Sequence, residues 1–269
     1  NYNSSTYVAG ISVTMNASII VDNSVFINNS GYGISNTYNS ENVIIDNNWW
    51  GSNSPDWGSS IHGLSAPKYV VLNIELNEID VNIYEVIAKF CLNGTKAVVN
   101  IPTRDLEFKY GSESVKGKMS SVFSKQYSLN SGSNDVTVTV DNEIQNHALV
   151  GVLLDAVYVD PVNGDDENNG ISWIKAFKSI ERALSFVKNG GVMYLAEGSY
   201  AECPTIDSKN MTIIGQGTEK TILNNNMSSN RFFHILNCNV KFYNCSFIEN
   251  YLDYGNGGAI YLENGNLIV

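Results

Sequence analysis

The apolar positions of this chain follow three rhythms, each over its own stretch. The first belongs to a recurring unit: a β-branched run, then Asn, a small residue, an aromatic and another Asn. It reads "SIIVDNSVFINN" over 18–29, "NVIIDNNWWGSN" over 42–53 and "NVKFYNCSFIEN" over 239–250. Phe26 and Trp50 hold equivalent places 24 residues apart. A period in the twenties, with short strands, Asn/Gly corners and inward aliphatics, predicts a parallel β-helix. Each turn of such a coil buries its apolar residues only against the turns above and below. "NMTIIGQGTEKTILNNN" (210–226) reads as an early turn of the same coil.

From about Pro67 to Leu154 the unit gives way to strict alternation. Val86, Ala88, Phe90 and Leu92 share one face, with Glu85 and Lys89 on the other. "DLEFKY" (105–110) and "DVTVTV" (135–140) alternate likewise between Gly/Ser/Asn turns. About seven short strands suit an immunoglobulin-like sandwich, although one Cys and no Trp leave out the Cys–Trp–Cys core of antibody domains. The third rhythm is helical. Phe177, Ile180, Leu184 and Val187 predict an amphipathic helix over 175–188, ending at Asn189-Gly190-Gly191 before the strand "VMYLAEG". Laid across the open end of a coil, such a helix would cap it.

The expected fold is therefore mainly β, with parallel β-helix segments flanking a sandwich. Residues 1–62 form the closing half of a coil with a Trp-rich end cap (Trp49, Trp50, Trp57), where Pro55 blocks further pairing. Residues 67–154 form the sandwich, and 157–269 the opening half of a coil, begun by the cap helix 175–188. This order is circular. Joining Val269 to Asn1 gives "ENGNLIVNYNSSTY", another turn of the same kind. The expectation is a head-to-tail array in which the coil runs from one copy into Asn1–Thr14 of the next, with Asn1, Tyr2, Leu267, Ile268 and Val269 at the junction.

Composition sharpens this picture. Asn is the excess residue, at 37 of 269, and it tolerates left-handed turns and can form side-chain ladders along stacked corners. With 27 acidic against 16 basic residues, the net charge of −11 argues against nucleic acid and anionic membranes as partners. No apolar run reaches the ~20 residues of a membrane span. Cys91, Cys203, Cys238 and Cys245 lack paired CxxC spacing and read as small core residues, with a Cys238–Cys245 pair left open. A soluble, extracellular chain is expected.

With these features the chain resembles the adhesin-like surface proteins of methanogenic archaea. The resemblance rests on "YVDPVNGDDENNGISWIKAFKSIERAL" at the coil entrance and "NNWWGSN" at its exit, and it spans nearly the whole chain. It implies right-handed β-helix and bacterial-immunoglobulin-like modules, cell-surface display, adhesion and glycosylation, and it brings no catalytic residues or cofactor.

Candidate chemistry was weighed against that background. Asp22 and Asp46, one turn apart, could face each other as the carboxylate pair of a glycoside hydrolase, and solvated corner residues are the preferred reading. Arg231 and Lys241 lack the acidic cluster a Ca²⁺-dependent lyase needs. His62, His147 and His234 stand alone. Asp160, Asp165, Asp166 and Glu167 crowd one loop and are weak Ca²⁺ candidates without EF-hand spacing. Glycosylation sequons occur at Asn3, Asn16, Asn28, Asn93, Asn210, Asn226 and Asn244. The leading expectation is a non-enzymatic structural repeat unit without cofactor, whose partner is its own neighbour. An adhesin module gripping a host-cell or partner-cell glycan or protein is the alternative, and a lyase-like carbohydrate enzyme the second.

Overall fold

The computed structural model describes residues 9–224, 231–250 and 255–269. It is a β-solenoid protein, with 52% of residues in strands and 6% in helices. Two compact units partition it. The first holds the chain up to Asn77 with Glu85–Gln126 and Asp135–Ala148. The second holds Glu78–Tyr84, Tyr127–Asn134 and everything from Leu149 onward.

In the second unit the chain visits three parallel sheets in rotation. One sheet runs Leu154–Val159, Val187–Leu195, Met211–Gly215, Asn239–Tyr243, Asn266–Ile268. The others are Gly198–Tyr200, Thr221–Leu223, Ser246–Phe247 and Thr205–Asp207, Phe233–Leu236, Ile260–Glu263. Register stacks like on like. Met211 lies beside Val240 and Val240 beside Leu267, while Ile213 lies between Met193 and Phe242. Alternate residues point outward, so Thr212, Lys241 and Ile268 form the outer column of the same strands. The inward columns merge into one core with Phe177, Ile180, Ala183 and Phe186. Those last four close the entrance to the coil.

The entrance helix is shorter than its periodicity suggested. Instead of 175–188, a 3₁₀ turn spans Trp173–Lys175 and the α-helix only Ile180–Phe186. Phe177 is extended because its backbone joins the strand beside it: its N–H donates to Tyr158 O (2.9 Å) and its carbonyl accepts from Asp160 N (2.8 Å). Helix starts at Ser179, whose side chain accepts from the N–H of Arg182 at 3.1 Å. At the other end Val187 enters the strand Val187–Leu195, and the Gly-Gly pair expected to cap the helix lies inside it, at a bulge between Val187 and Val192 where Gly190 has a φ of 85°. Helical and extended segments can both bury Phe177 and Val187 inward, so spacing alone could not distinguish them. Arg182 also binds Ser128 Oγ (3.2 Å) and Leu129 O (3.3 Å), and Lys175 binds Asp80 (3.0 Å), tying the loop tips of this unit to its cap.

In the first unit the coil is smaller. Ala9–Val13, Tyr32–Asn36 and Ile61–His62 form one parallel sheet, and Ser18–Ile20 pairs with Asn42–Ile44. Ile11, Ile34 and Ile61 stack in register, and Val13, Ile34, Ile45, Trp50 and Ile61 make the core. The coil then passes into the alternating region through Asn48–Trp49, which pairs in parallel with Tyr69–Asp80. Seven strands follow among the described residues of 67–154. Val122–Ser128, Ile83–Leu92 and Tyr69–Asp80 lie in one sheet. The other is ordered Glu113–Met119, Arg104–Tyr110, Gly132–Val140, Glu143–Gly151. Val86, Ala88 and Phe90 are fully buried as their alternation requires.

Because the stacked columns are dry, removing one member leaves a hole the turns cannot close. Ile213→Ala is expected to lower unfolding free energy by about 2–5 kcal/mol. The outward Thr212→Ala should change it by less than about 0.5 kcal/mol. Urea denaturation followed by circular dichroism measures both.

Candidate functional site

The feature that repeats with the coil is a ladder of asparagines on one corner of the second unit. Asn189 Oδ1 accepts the N–H of Asn210 (2.9 Å). Asn210 Oδ1 accepts both the backbone N–H (2.8 Å) and the side-chain Nδ2 (3.1 Å) of Asn239. Asn239 Oδ1 does the same for Asn266, at 3.0 and 2.7 Å. Each rung thus accepts from the turn after it, and Asn210 and Asn239 also donate to the turn before.

A second ladder runs close by, where Asn237 Nδ2 donates to Asp207 Oδ1 (3.1 Å) and Asn264 Nδ2 to Asn237 Oδ1 (3.3 Å). Its corners are left-handed at Ser208, Asn237 and Asn264, with φ of 53°, 53° and 54°. Asparagine suits both tasks, since it tolerates positive φ and its short amide reaches the neighbouring backbone. The turns pack so closely here that a Cβ on Gly265 would lie 1.9 Å from the Cys238 carbonyl oxygen. The Asn237 and Ser208 hydrogen bonds hold the Asp207 carboxyl below its ordinary value of 3.8.

Among the described residues, the strand Asn266–Ile268 pairs with Asn239–Tyr243 alone. Leu267 packs on the core, while Ile268 and Val269 are 48% and 73% exposed. Of the expected junction, Leu267 and Ile268 lie in this strand, which begins with the Asn266 rung, and Val269 follows it. Asn1 and Tyr2 lie outside the described residues.

The three tryptophans of the exit motif separate. Trp50 stacks on Phe26 (centroids 4.5 Å, 17°) and Trp57 meets Trp50 edge-on (5.5 Å, 78°), both against the coil core. Trp49 points the other way and is fully buried beside Phe90 (5.2 Å). Consecutive strand residues face opposite sides, so one of the pair had to leave the coil. Trp49 Nε1 donates to Asp141 Oδ2 (2.7 Å), which also accepts from Arg104 Nε (2.9 Å). Asn53 Nδ2 donates to Leu72 O (2.7 Å), and Glu143 accepts from Asn53 N (2.8 Å) and Ser52 Oγ (3.1 Å). The exit motif "NNWWGSN" is thus the splice between coil and sheet. Asp141, Arg104 and Glu143 carried no signal in the sequence, because their partners lie as many as 92 residues away.

Of the carboxylates singled out for chemistry, Asp22, Asp46, Asp160, Asp165 and Asp166 accept from backbone donors. Asp160 Oδ1 accepts from Val162 N and Asn163 N, both at 2.9 Å, and Asp165 Oδ1 from Glu167 N at 3.0 Å. Asp166 Oδ1 accepts from Lys178 N (2.9 Å) and Ser179 N (3.0 Å). Among the described residues no group of three His, Cys, Asp or Glu is arranged to hold a metal ion. Asp22 Oδ1 accepts from Asn23 N and Asn47 Nδ2, and Asp46 Oδ1 from Lys68 N. Arg231 lies over the Tyr261 ring (4.6 Å) and Lys241 is exposed.

His62 meets Ser35 Oγ at 3.3 Å, and the rings of His234 and Tyr261 are 5.1 Å apart. Burial pushes the His147 imidazole below its ordinary value. All four cysteines are free, and burial pushes the Cys245 thiol up to about 11. Of the sequons, Asn16, Asn28, Asn93 and Asn244 are exposed, whereas the side-chain oxygen of Asn210 is engaged in the ladder. Asn3 and Asn226 lie outside the described residues.

Comparison of the chain with protein-family models, with curated proteins and with solved structures finds no match.

The ladder sets two expectations. Asn239→Ala should cost about 1–2 kcal/mol, since it removes side-chain bonds to both neighbouring turns. It should also accelerate amide exchange at Asn266, and hydrogen exchange by NMR reads that directly. Asp207, with its folded pKa depressed, contributes stability that is present above 3.8 and lost as pH falls through the lower folded value. Asp207→Asn keeps the acceptor without the charge, so its urea midpoint should fall less than that of the parent chain between pH 5 and about pH 2.5.

Proposed function

We propose that this chain is a structural repeat module of an extracellular, cell-surface filament or adhesin, propagated by stacking further β-solenoid turns on its own. The observation that carries this reading is the asparagine ladder. Asn239 offers Asn266 the same acceptor that Asn210 offers Asn239, so the rung pattern has no inherent terminus. The edge strand Asn266–Ile268 adds a row of outward N–H and C=O groups and a partly covered Leu267. A segment equivalent to Asn1–Thr14 is the natural next turn, supplied by the same polypeptide or by a neighbouring copy. Such a contact is heterologous and extends into a fibre unless its rotation closes a ring.

The finer assignment, to methanogen adhesin-like proteins with immunoglobulin-like modules, draws support from two features. One is the Asn-rich corners. The other is the strand order of the alternating region. In chain order its first, second and fifth strands share one sheet and its third, fourth, sixth and seventh the other, an arrangement compatible with a Greek-key sandwich. Among the described residues no helix is long and apolar enough to cross a membrane.

Purified chain at increasing concentration should give head-to-tail oligomers by light scattering and regular fibres in negative-stain micrographs. Leu267→Lys, at the edge, should abolish them while leaving the far-ultraviolet circular dichroism unchanged. A monodisperse monomer at millimolar concentration, or fibres that survive the edge charge, would sink the proposal.

A further inference from the structure

The first unit contains a cavity of about 340 Å³ beside the exit motif. Phe26, Trp50, Asn29, Ser59, Ser60 and Asn142 contribute to its walls. Three elements far apart in the sequence bring them together: the coil corner after Phe26, the short helix Trp57–Ser60, and the turn between Gly132–Val140 and Glu143–Gly151. Gly33 belongs to the same lining. A Cβ there would lie 2.9 Å from Trp50 Cζ3 and 3.2 Å from Phe26 Cδ1, so its missing side chain lets both rings approach the strand.

Two properties of this cavity define a ligand. First, its lining has no charged side chain, so nothing in it compensates a phosphate, a carboxylate or an ammonium group. Second, amides and hydroxyls alternate with the Phe26–Trp50 stack, which pairs hydrogen-bonding groups with an apolar ring surface. Phe26 is only half-buried. The volume lies at the lower end of the range for small-molecule sites, roughly 300–1,000 Å³.

We propose that this cavity is a binding site for a neutral saccharide of one or two sugar units. Asn29, Asn142 and Ser60 exchange hydrogen bonds with its hydroxyls, and the Phe26–Trp50 rings contact its C–H face, close enough for a bound sugar to shift the Trp50 indole signal. Binding here goes beyond the stacking role of the second unit's edge and does not rest on it, since no residue of that edge lines the cavity.

The test uses the full chain, ¹⁵N-labelled and produced in bacteria so that Asn28 carries no sugar of its own. Glucose, galactose, mannose and N-acetylglucosamine are titrated in turn while the tryptophan indole signals are followed. The expected result is a saturable shift of the Trp50 indole N–H with at least one sugar. Asn29→Ala and Asn142→Ala should each weaken that binding about tenfold, with melting temperatures unchanged. No saturable shift with any of the four, or equal shifts in the parent chain and both variants, would overturn the proposal. Saturable shifts confined to Trp49, Trp57 or Trp173 would overturn it too, by placing the sugar elsewhere.

Discussion

A coil whose strands mostly run two to five residues has little pairing per turn, so its corners must be held as firmly as its sheets. Asparagine does this here in two ways. Eight asparagines among the described residues of the coils sit at positive φ, from Asn16 to Asn264, where most side chains would be strained. Others turn their amides onto the backbone of the adjacent turn, as Asn210 and Asn239 do. The rungs are unevenly spaced along the chain, at 21, 29 and 27 residues. Loops between corners can therefore vary in length while register stays fixed, because register is set at the rung and in the dry columns behind it.

Acidic side chains complete the same task at the margins of the coils. Asp141 receives Trp49 and Arg104 at the exit splice, and Glu143 receives Asn53 and Ser52. At the entrance, Glu202 accepts the N–H groups of Ile180 and Glu181, each at 3.0 Å, where the helix leaves its first donors without intrahelical partners. Burial raises the Glu202 carboxyl, and these two bonds pull it back. The loop of Asp160, Asp165 and Asp166 is organised likewise by acceptance from backbone donors. The excess of acids thus acts as a set of hydrogen-bond acceptors for irregular backbone.

The proposed roles call on different kinds of surface for physical reasons. Assembly uses an edge, where N–H and C=O groups repeat at the strand spacing and one apolar residue is half covered. The proposed sugar site uses a concavity, formed where the first coil stops repeating and Gly33 lets two rings fold inward.

The sequence alone determined the parts of this protein that repeat. Inward aliphatics, aromatic places one period apart, Asn corners and the alternation of Val86, Ala88 and Phe90 were legible because a solenoid makes its contacts between equivalent positions of successive turns, and a strand shows its faces at every second residue. What the tertiary structure decided lies where the repeat breaks. Phe177 and Val187 read as helical, yet neighbouring strands recruited their backbone. Trp49 and Trp50 look alike in sequence, but only the place of the strand between two cores shows that they face apart. The Asp141–Arg104–Trp49 network and the cavity near Asn142 join segments tens of residues apart, with no period to announce them. Contacts of that kind depend on where whole elements come to rest, so no local pattern in the chain could encode them visibly.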